Sequence, residues 1–328
     1  MSSRRHALIP AVLLPLLLPL AACSADADPV REAGAPADGF PYTVTNCGVK
    51  TTFEAPPKRV VTMNQHVTEI MIELGLTKSL IGTAWLDDQV LPAYDKAYKS
   101  VPVVAKEYPS KEKLLSVNPD FVYGGYASAF AAKDGRTRDD LKGAGIDTRL
   151  NLENCAKGKT SMDDVFREVT EVGRTFGVAD RAAKWTAEAG TTLETTAAGL
   201  EDVKPVPVFV YDSGDKTAFT AGGKGIGNDM IERAGGRNVF ADLDKSFGDA
   251  TWEQVVARRP EAIVIYDYGS TTVAQKKKRL LEDPVLKDVP AIRNKRFAVL
   301  PLSDAVLGVR APAAVQRLAD QLHPEAGE

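Results

Sequence analysis

Histidine is scarce in this chain: there are three among 328 residues. His6 lies in an N-terminal apolar stretch and His323 near the other end, which leaves His66 alone in the body of the sequence. That scarcity argues against a His-rich zinc or manganese site, because such sites draw several imidazoles onto one ion. A hydrolase triad would rest wholly on His66, which makes an exported hydrolase a distant alternative, and no enzyme is expected. Excess charge of one sign is also missing, with 41 Lys+Arg against 44 Asp+Glu. There is no basic stripe, so nucleic acid is not an expected partner, and the run Lys276-Lys277-Lys278-Arg279 reads as a solvated helix face. A chain 44% hydrophobic and 26% charged is neither disordered nor polytopic, and its length suits two domains.

Only one long apolar run is present, from Ala7 to Ala22. It follows Arg4 and Arg5, is broken by Pro10, Pro15 and Pro19, and is short for a spanning helix, so residues 1–22 read as a secretory signal. Leu20-Ala21-Ala22-Cys23 resembles the bacterial lipobox, which implies lipidation of Cys23 and an anchor on the outer face of the bacterial cytoplasmic membrane. Residues 23–41 are then the lipidated Cys and a tether rich in Ala, Asp, Gly and Pro. Loss of both signal arginines leaves 39 basic residues against 44 acidic ones, a net charge near −5. Cys47 and Cys155 remain in an exported chain and are expected to pair, the other reading being two buried free thiols.

Folded structure is expected from Tyr42. Tyr42 to Asn46 and Val49 to Phe53 flank Cys47-Gly48 as a β-hairpin would. Arg59 to Met63 reads as a buried strand, followed by a helix with Val67, Ile70, Met71 and Leu74 on one face. Strands are expected at Ser79 to Thr83, Phe121 to Tyr123, Val206 to Tyr211, Ala262 to Tyr266 and Phe297 to Leu300. Between them, Met162, Val165, Phe166, Val169, Val172 and Phe176 mark a helix with Ser161 and Asp164 as a capping box, and a second helical stretch runs from Ala179 to Leu200. A closing helix is expected over Pro312 to Leu322.

An internal echo suggests the architecture. Ser110-Lys111-Glu112-Lys113-Leu114-Leu115 with Asn118-Pro119-Asp120-Phe121-Val122 is answered by Thr251-Trp252-Glu253-Gln254-Val255-Val256 with Arg259-Pro260-Glu261-Ala262-Ile263. In each copy a hydroxyl cap begins a short helix and a Pro separates it from a buried strand. The fold class expected is α/β, with two similar α/β lobes facing a cleft and joined by a single long helical connection. The boundaries drawn are 42–160 for the N-terminal lobe, 161–200 for the interlobe helix and 201–328 for the C-terminal lobe.

These features together resemble the iron-siderophore and cobalamin class of ABC transporter substrate-binding proteins, over about residues 42 to 323. Further carriers are Pro57-Lys58-Arg59-Val60-Val61, Thr68-Glu69-Ile70-Met71, Phe219-Thr220-Ala221-Gly222-Gly223-Lys224, Ala234-Gly235-Gly236-Arg237-Asn238-Val239-Phe240 and Val289 to Phe297. The resemblance implies capture of a ferric siderophore and delivery to the membrane subunits of an ABC importer by a monomer without a cofactor. Cobalamin or haem capture by the same fold is the alternative, and haem would favour an axial ligand such as His66 or a cleft Tyr. It also implies a ligand held by loops at the C-terminal ends of the strands. That places Asn64, Gln65, His66, Trp85, Tyr108, Gly125 and Tyr126 on one side of the cleft. Tyr211, Phe219, Phe247, Tyr268, Asp304 and Arg310 fall on the other, with core packing the competing reading for each aromatic and a surface salt bridge for Arg310. Glu112 and Glu253, at matching positions of the repeat, would dock the two lobes on arginines of the paired membrane subunits, while a helix-dipole role is the plainer reading.

Two motifs fail. The segment around Ala221-Gly222-Gly223-Lys224-Gly225 lacks Ser or Thr after its Lys, so it is no phosphate loop but a Gly-rich turn into a helix, with backbone N–H groups that could face the cleft. Ser213 lacks the Gly two positions earlier that a nucleophile elbow needs.

Overall fold

The structure is a computed structural model that describes residues 38–155 and 158–325. The signal, the lipobox and most of the tether lie outside the described residues. No helix among the described residues is long and apolar enough to cross a membrane.

Strands β1 (Tyr42–Asn46) and β2 (Val49–Phe53) form the hairpin. Cys47 and Gly48 both take positive φ, 50° and 84°, as a two-residue turn matched to strand twist requires. The N-terminal lobe continues with β3 (Val60–Met63), α1 (Gln65–Glu73), β4 (Leu80–Ala84), α2 (Pro92–Lys99), β5 (Val103–Ala105), α3 (Lys111–Ser116), β6 (Phe121–Gly124), α4 (Arg138–Gly143) and β7 (Asp147–Leu150). Its five strands are parallel in the order β5-β4-β3-β6-β7. Every residue of β3 and β6 is buried, as expected where helices cover both faces of a parallel sheet. Val60, Phe121 and Tyr123 pack toward α1, while Val61, Met63 and Val122 pack on Leu114 of α3 and Leu141 of α4.

The connection expected over 161–200 is built from two helices, α5 (Met162–Thr175) and α6 (Ala179–Ala198), with Gly177 at φ 67° between them. Each helix serves both cores. Met162 and Val165 of α5 pack in the C-terminal core and Val169 and Val172 in the N-terminal one, whereas α6 gives Ala182 to the N-terminal core and Leu193 to the C-terminal core. Buried Arg149 on β7 fastens α5 to the first sheet: its Nε lies 2.9 Å and its Nη2 2.7 Å from the Glu168 carboxylate. The Tyr123 hydroxyl donates to the same carboxylate.

The C-terminal lobe comprises β8 (Val206–Tyr211), β9 (Ala218–Ala221), α7 (Ile226–Arg233), β10 (Gly236–Asn238), β11 (Phe247–Ala250), α8 (Trp252–Arg258), β12 (Ala262–Asp267), α9 (Val273–Glu282), α10 (Pro290–Arg293), β13 (Phe297–Pro301) and α11 (Ala311–Leu322). Four strands are parallel in the order β10-β8-β12-β13, and β9 and β11 pair antiparallel beside them. The internal echo thus corresponds to α3 with β6 and α8 with β12, the helix and strand next to the switch in strand order of each sheet. Ser110 accepts from the Lys113 N–H and Thr251 from the Gln254 N–H, so both caps form.

Candidate functional site

Two unusual backbone positions mark the exit of the first sheet. Asn64 leaves β3 at φ 94° and ψ 151°, and Trp85 follows β4 at φ 57°. Such conformations cost about 1–3 kcal/mol in residues other than Gly and persist where surrounding contacts enforce them. Here the Asn64 N–H bonds the Ala84 carbonyl, its side-chain Oδ1 accepts from Tyr108 Oη at 2.9 Å, and its Nδ2 lies 3.3 Å from Asp87. Asp87 also accepts from the Gln65 N–H and so caps α1 in place of Asn64. Burial raises the Asp87 carboxyl to about 6 against those hydrogen bonds.

Four aromatic side chains meet around this exit. Trp85 stacks on Tyr108 with centroids 4.4 Å apart, and His66 meets Tyr126 edge-on at 5.1 Å. Gly125 is required here: a Cβ on it would come within 2.4 Å of His66 Cε1 and 2.7 Å of Asn64 Cβ. His66 is buried, which lowers its pKa to about 4 and keeps the ring neutral near pH 7. Of the residues expected on this side, Trp85, Tyr108 and Tyr126 keep partial exposure, while Asn64, Gln65 and His66 are enclosed and hold the framework behind them.

In the C-terminal lobe, Phe219 of β9 stacks on Phe247 of β11 at 5.7 Å, and Phe247 meets Tyr266 edge-on. The Tyr268 hydroxyl donates to Asp212, at the ends of β12 and β8 respectively. Lys276 sits 4.7 Å over the Tyr268 ring and donates to the Asp212 and Tyr266 carbonyls at 2.6 and 2.5 Å. This corrects the solvated reading of the basic run at Lys276, while Lys278 is exposed as that reading expects. Lys276 is buried, four residues ahead of buried Leu280 on one face of α9. Burial pushes its ammonium pKa down, against the Asp212 charge.

Three residues expected at the cleft are otherwise engaged. Tyr211 is buried against Phe209 and Trp252, because the alternation of β8 turns it to the face covered by α8. Arg310 is neither free nor on the surface. Its Nε lies 2.6 Å from Glu69 Oε2, its Nη2 donates to the other Glu69 oxygen, and both side chains are buried. Asp304 is buried between Arg310 and Arg317. Around this pair, the Ser303 N–H and hydroxyl bond Asp88, Asn151 Nδ2 donates to the Leu307 carbonyl, and the Glu153 carboxylate accepts from the N–H groups of Ile226 and Leu307. The first N–H of α7 is therefore taken by Glu153. Sequence reasoning missed Glu69, Asp87, Asp88, Glu153 and Lys276; a Glu beside the apolar face of Val67, Ile70 and Met71 was the available signal for Glu69.

Glu112 and Glu253 are both exposed at the second position of α3 and α8. Its own backbone N–H and the Ser110 hydroxyl hold the Glu112 carboxyl below its ordinary value. Cys47 and Cys155 are disulfide-bonded, closing 108 positions of sequence. Among the described residues no cluster of three His, Cys, Asp or Glu side chains could hold a metal ion.

Two parallel α/β sheets, coupled by helices shared between their cores, define a two-lobed solute-binding protein of the kind that serves ABC importers. The chain belongs to the periplasmic binding protein family, whose model matches residues 60–303. It is 26% identical over 328 residues to the uncharacterized ABC transporter substrate-binding lipoprotein YvrC of Bacillus subtilis, covering 98% of each chain. To a cobalamin-binding protein of Halobacterium salinarum it is 28% identical over 244 residues, covering 72% of this chain and 62% of that one. Among solved structures, a periplasmic binding protein from Veillonella parvula superposes with TM-score 0.80 at 30% identity, covering 86% of this chain and 97% of that one. A protein of an ABC-type Fe3+-hydroxamate transport system from Saccharomonospora viridis superposes with TM-score 0.73 at 24% identity, covering 86% and 99%. The relatives are extracytoplasmic transport proteins that bind small molecules for membrane transporter subunits, not enzymes.

Proposed function

We propose that this protein captures a ferric siderophore between its lobes, with Trp85, Tyr108, Gly125 and Tyr126 on one side and Phe219, Phe247 and Tyr268 on the other. The observation that carries the reading is the chemistry of those strand ends. They offer aromatic faces and phenol groups, and the one histidine nearby is buried and neutral. Such a lining suits cargo whose iron is already wrapped by its chelator and presents an apolar or π-rich outer surface. The Saccharomonospora neighbour, by its title part of an Fe3+-hydroxamate system, supports it. Cobalamin is the second reading, favoured by the Halobacterium relative. Haem is a further reading: His66 would have to leave its place against Gly125 and Tyr126 to ligate iron, so a cleft tyrosine would be its axial ligand.

Cys23 would carry the lipid that holds the protein, as a monomer, at the outer face of the cytoplasmic membrane, and YvrC is by name a lipoprotein. Glu112 and Glu253 would meet basic sockets on the paired membrane subunits, one from each lobe. Two fixed anions add little affinity singly but set orientation and exclude wrong partners. Mass spectrometry of the small molecule that co-purifies from iron-starved culture tests the reading. A ferric chelate supports it, and cobalamin or haem in its place overturns it.

A further inference from the structure

Trp85 has a second neighbourhood besides Tyr108. It also lines a cavity of about 900 Å³ between α2, the loop after β4 and the edge strand β5. Leu86, Val90, Val101, Val103 and Ala105 make its apolar wall, and Gln89, exposed Lys106 and the Asp95–Lys99 ion pair make its polar rim. Thr83 and Tyr98 also line it, their hydroxyls 3.4 Å apart. Leu86 is 54% and Val103 66% exposed, high for large apolar side chains on a protein whose other apolar residues are mostly covered. Neither is needed in the core, and both line the same cavity. The volume falls in the range of small-molecule sites, and the cavity runs along the edge strand of the sheet and reaches the aromatic cluster at Trp85.

We infer that this side cavity takes an alkyl arm of the cargo, so that the protein selects amphiphilic ferric chelates over their short-chain counterparts. The inference rests on the ferric-siderophore reading and names a subclass of it. Continuity through Trp85 decides the occupant: one end of the cargo would stack on Trp85 and Tyr108, and an arm attached there would run along Val103 and Leu86. Lys106 would lie near any acidic group carried by the arm. Trp85 itself is held at φ 57° at this junction, a conformation that surrounding contacts enforce.

The test is a series of ferric trihydroxamates with N-acyl chains of increasing length, titrated into the full protein. Affinity is expected to rise about threefold to fourfold per added methylene until the cavity is filled. Val103→Asp and Leu86→Asp alter exposed positions and should flatten the rise while leaving affinity for the shortest chain unchanged. A rise of equal slope in native protein and both variants, or no rise in the native protein, overturns the inference. Should no ferric trihydroxamate bind, hydroxamates are removed from the cargo reading, and the cavity is judged separately with brominated decanoate as a quencher of Trp85. Saturable quenching that is lost in Trp85→Phe and weakened in Val103→Asp supports an alkyl site; unsaturable quenching, or quenching equal in all three proteins, overturns it.

Discussion

Arg310 and Glu69, 241 positions apart, form a buried two-point ion pair between the loop ahead of the last helix and the first helix of the other lobe. Burial alone would push the Glu69 carboxyl up, and the Arg310 guanidinium opposes it. Removing one partner would strand a buried charge, so Arg310→Met should cost about 3–5 kcal/mol in denaturant unfolding. Replacing both, Glu69→Met with Arg310→Met, should recover much of that loss. If the double variant were no more stable than Arg310→Met, the pair would not be the source of the effect.

The disulfide makes an independent prediction. Closing a loop of this length stabilises by about 4–5 kcal/mol in the chain-entropy description, and measured losses span about 2–5 kcal/mol. Cys47→Ser with Cys155→Ser should therefore lower stability within that range while the hairpin stays docked, because Asn46 also pairs with the Leu150 N–H and carbonyl at 2.8 and 2.9 Å. Amide exchange in Tyr42–Phe53 reads the docking directly.

Acid should act on two neighbouring groups in opposite directions. His66 titrates near 4 in the folded state against 6.5 ordinarily, so between those values the unfolded chain binds the proton and stability falls as pH falls. Asp87 titrates near 6 against 3.8, so its contribution is full below 3.8 and is lost as pH rises through 6. Each could amount to about 3 kcal/mol, and in the overlap they offset. Asp87→Asn should therefore steepen the loss of stability from pH 6.5 to 4, and His66→Asn should shallow it. Unfolding midpoints across that range check both signs.

Delivery can be separated from capture. Glu112→Arg with Glu253→Arg changes two exposed side chains, so ligand affinity and thermal stability should stay within error while uptake in dependent cells falls to background. Uptake at the parental rate would remove the docking role, and lost ligand binding would make these residues structural.

The elements most legible in the sequence were those buried on both sides. Val60–Met63, Phe121–Gly124 and Ala262–Asp267 are apolar apart from Thr62 and the terminal Asp267, and each forms a central strand. The turn Cys47-Gly48 declared its hairpin through Gly48, which takes positive φ without a Cβ penalty. Short strands such as β5, β10 and β11 carried no such signal, because three or four residues between loops have no distinctive period. Arg310 was misread for a different reason: its charge asked for a partner, and nothing local shows that the partner is Glu69. Tyr211 and Lys276 were legible in principle, since strand alternation places Tyr211 with Phe209 and helical spacing places Lys276 with Leu280.

The central claim is that the metal-wrapped form of a chelator is the cargo, and calorimetric titration with one chelator in two states tests it most directly. The ferric complex of a hydroxamate should bind at least tenfold more tightly than the same molecule without iron, and Trp85→Ala with Phe247→Ala should weaken that binding by at least a further tenfold. Equal affinity for the ferric and metal-free forms, or tight binding of cobalamin alone, would contradict the account.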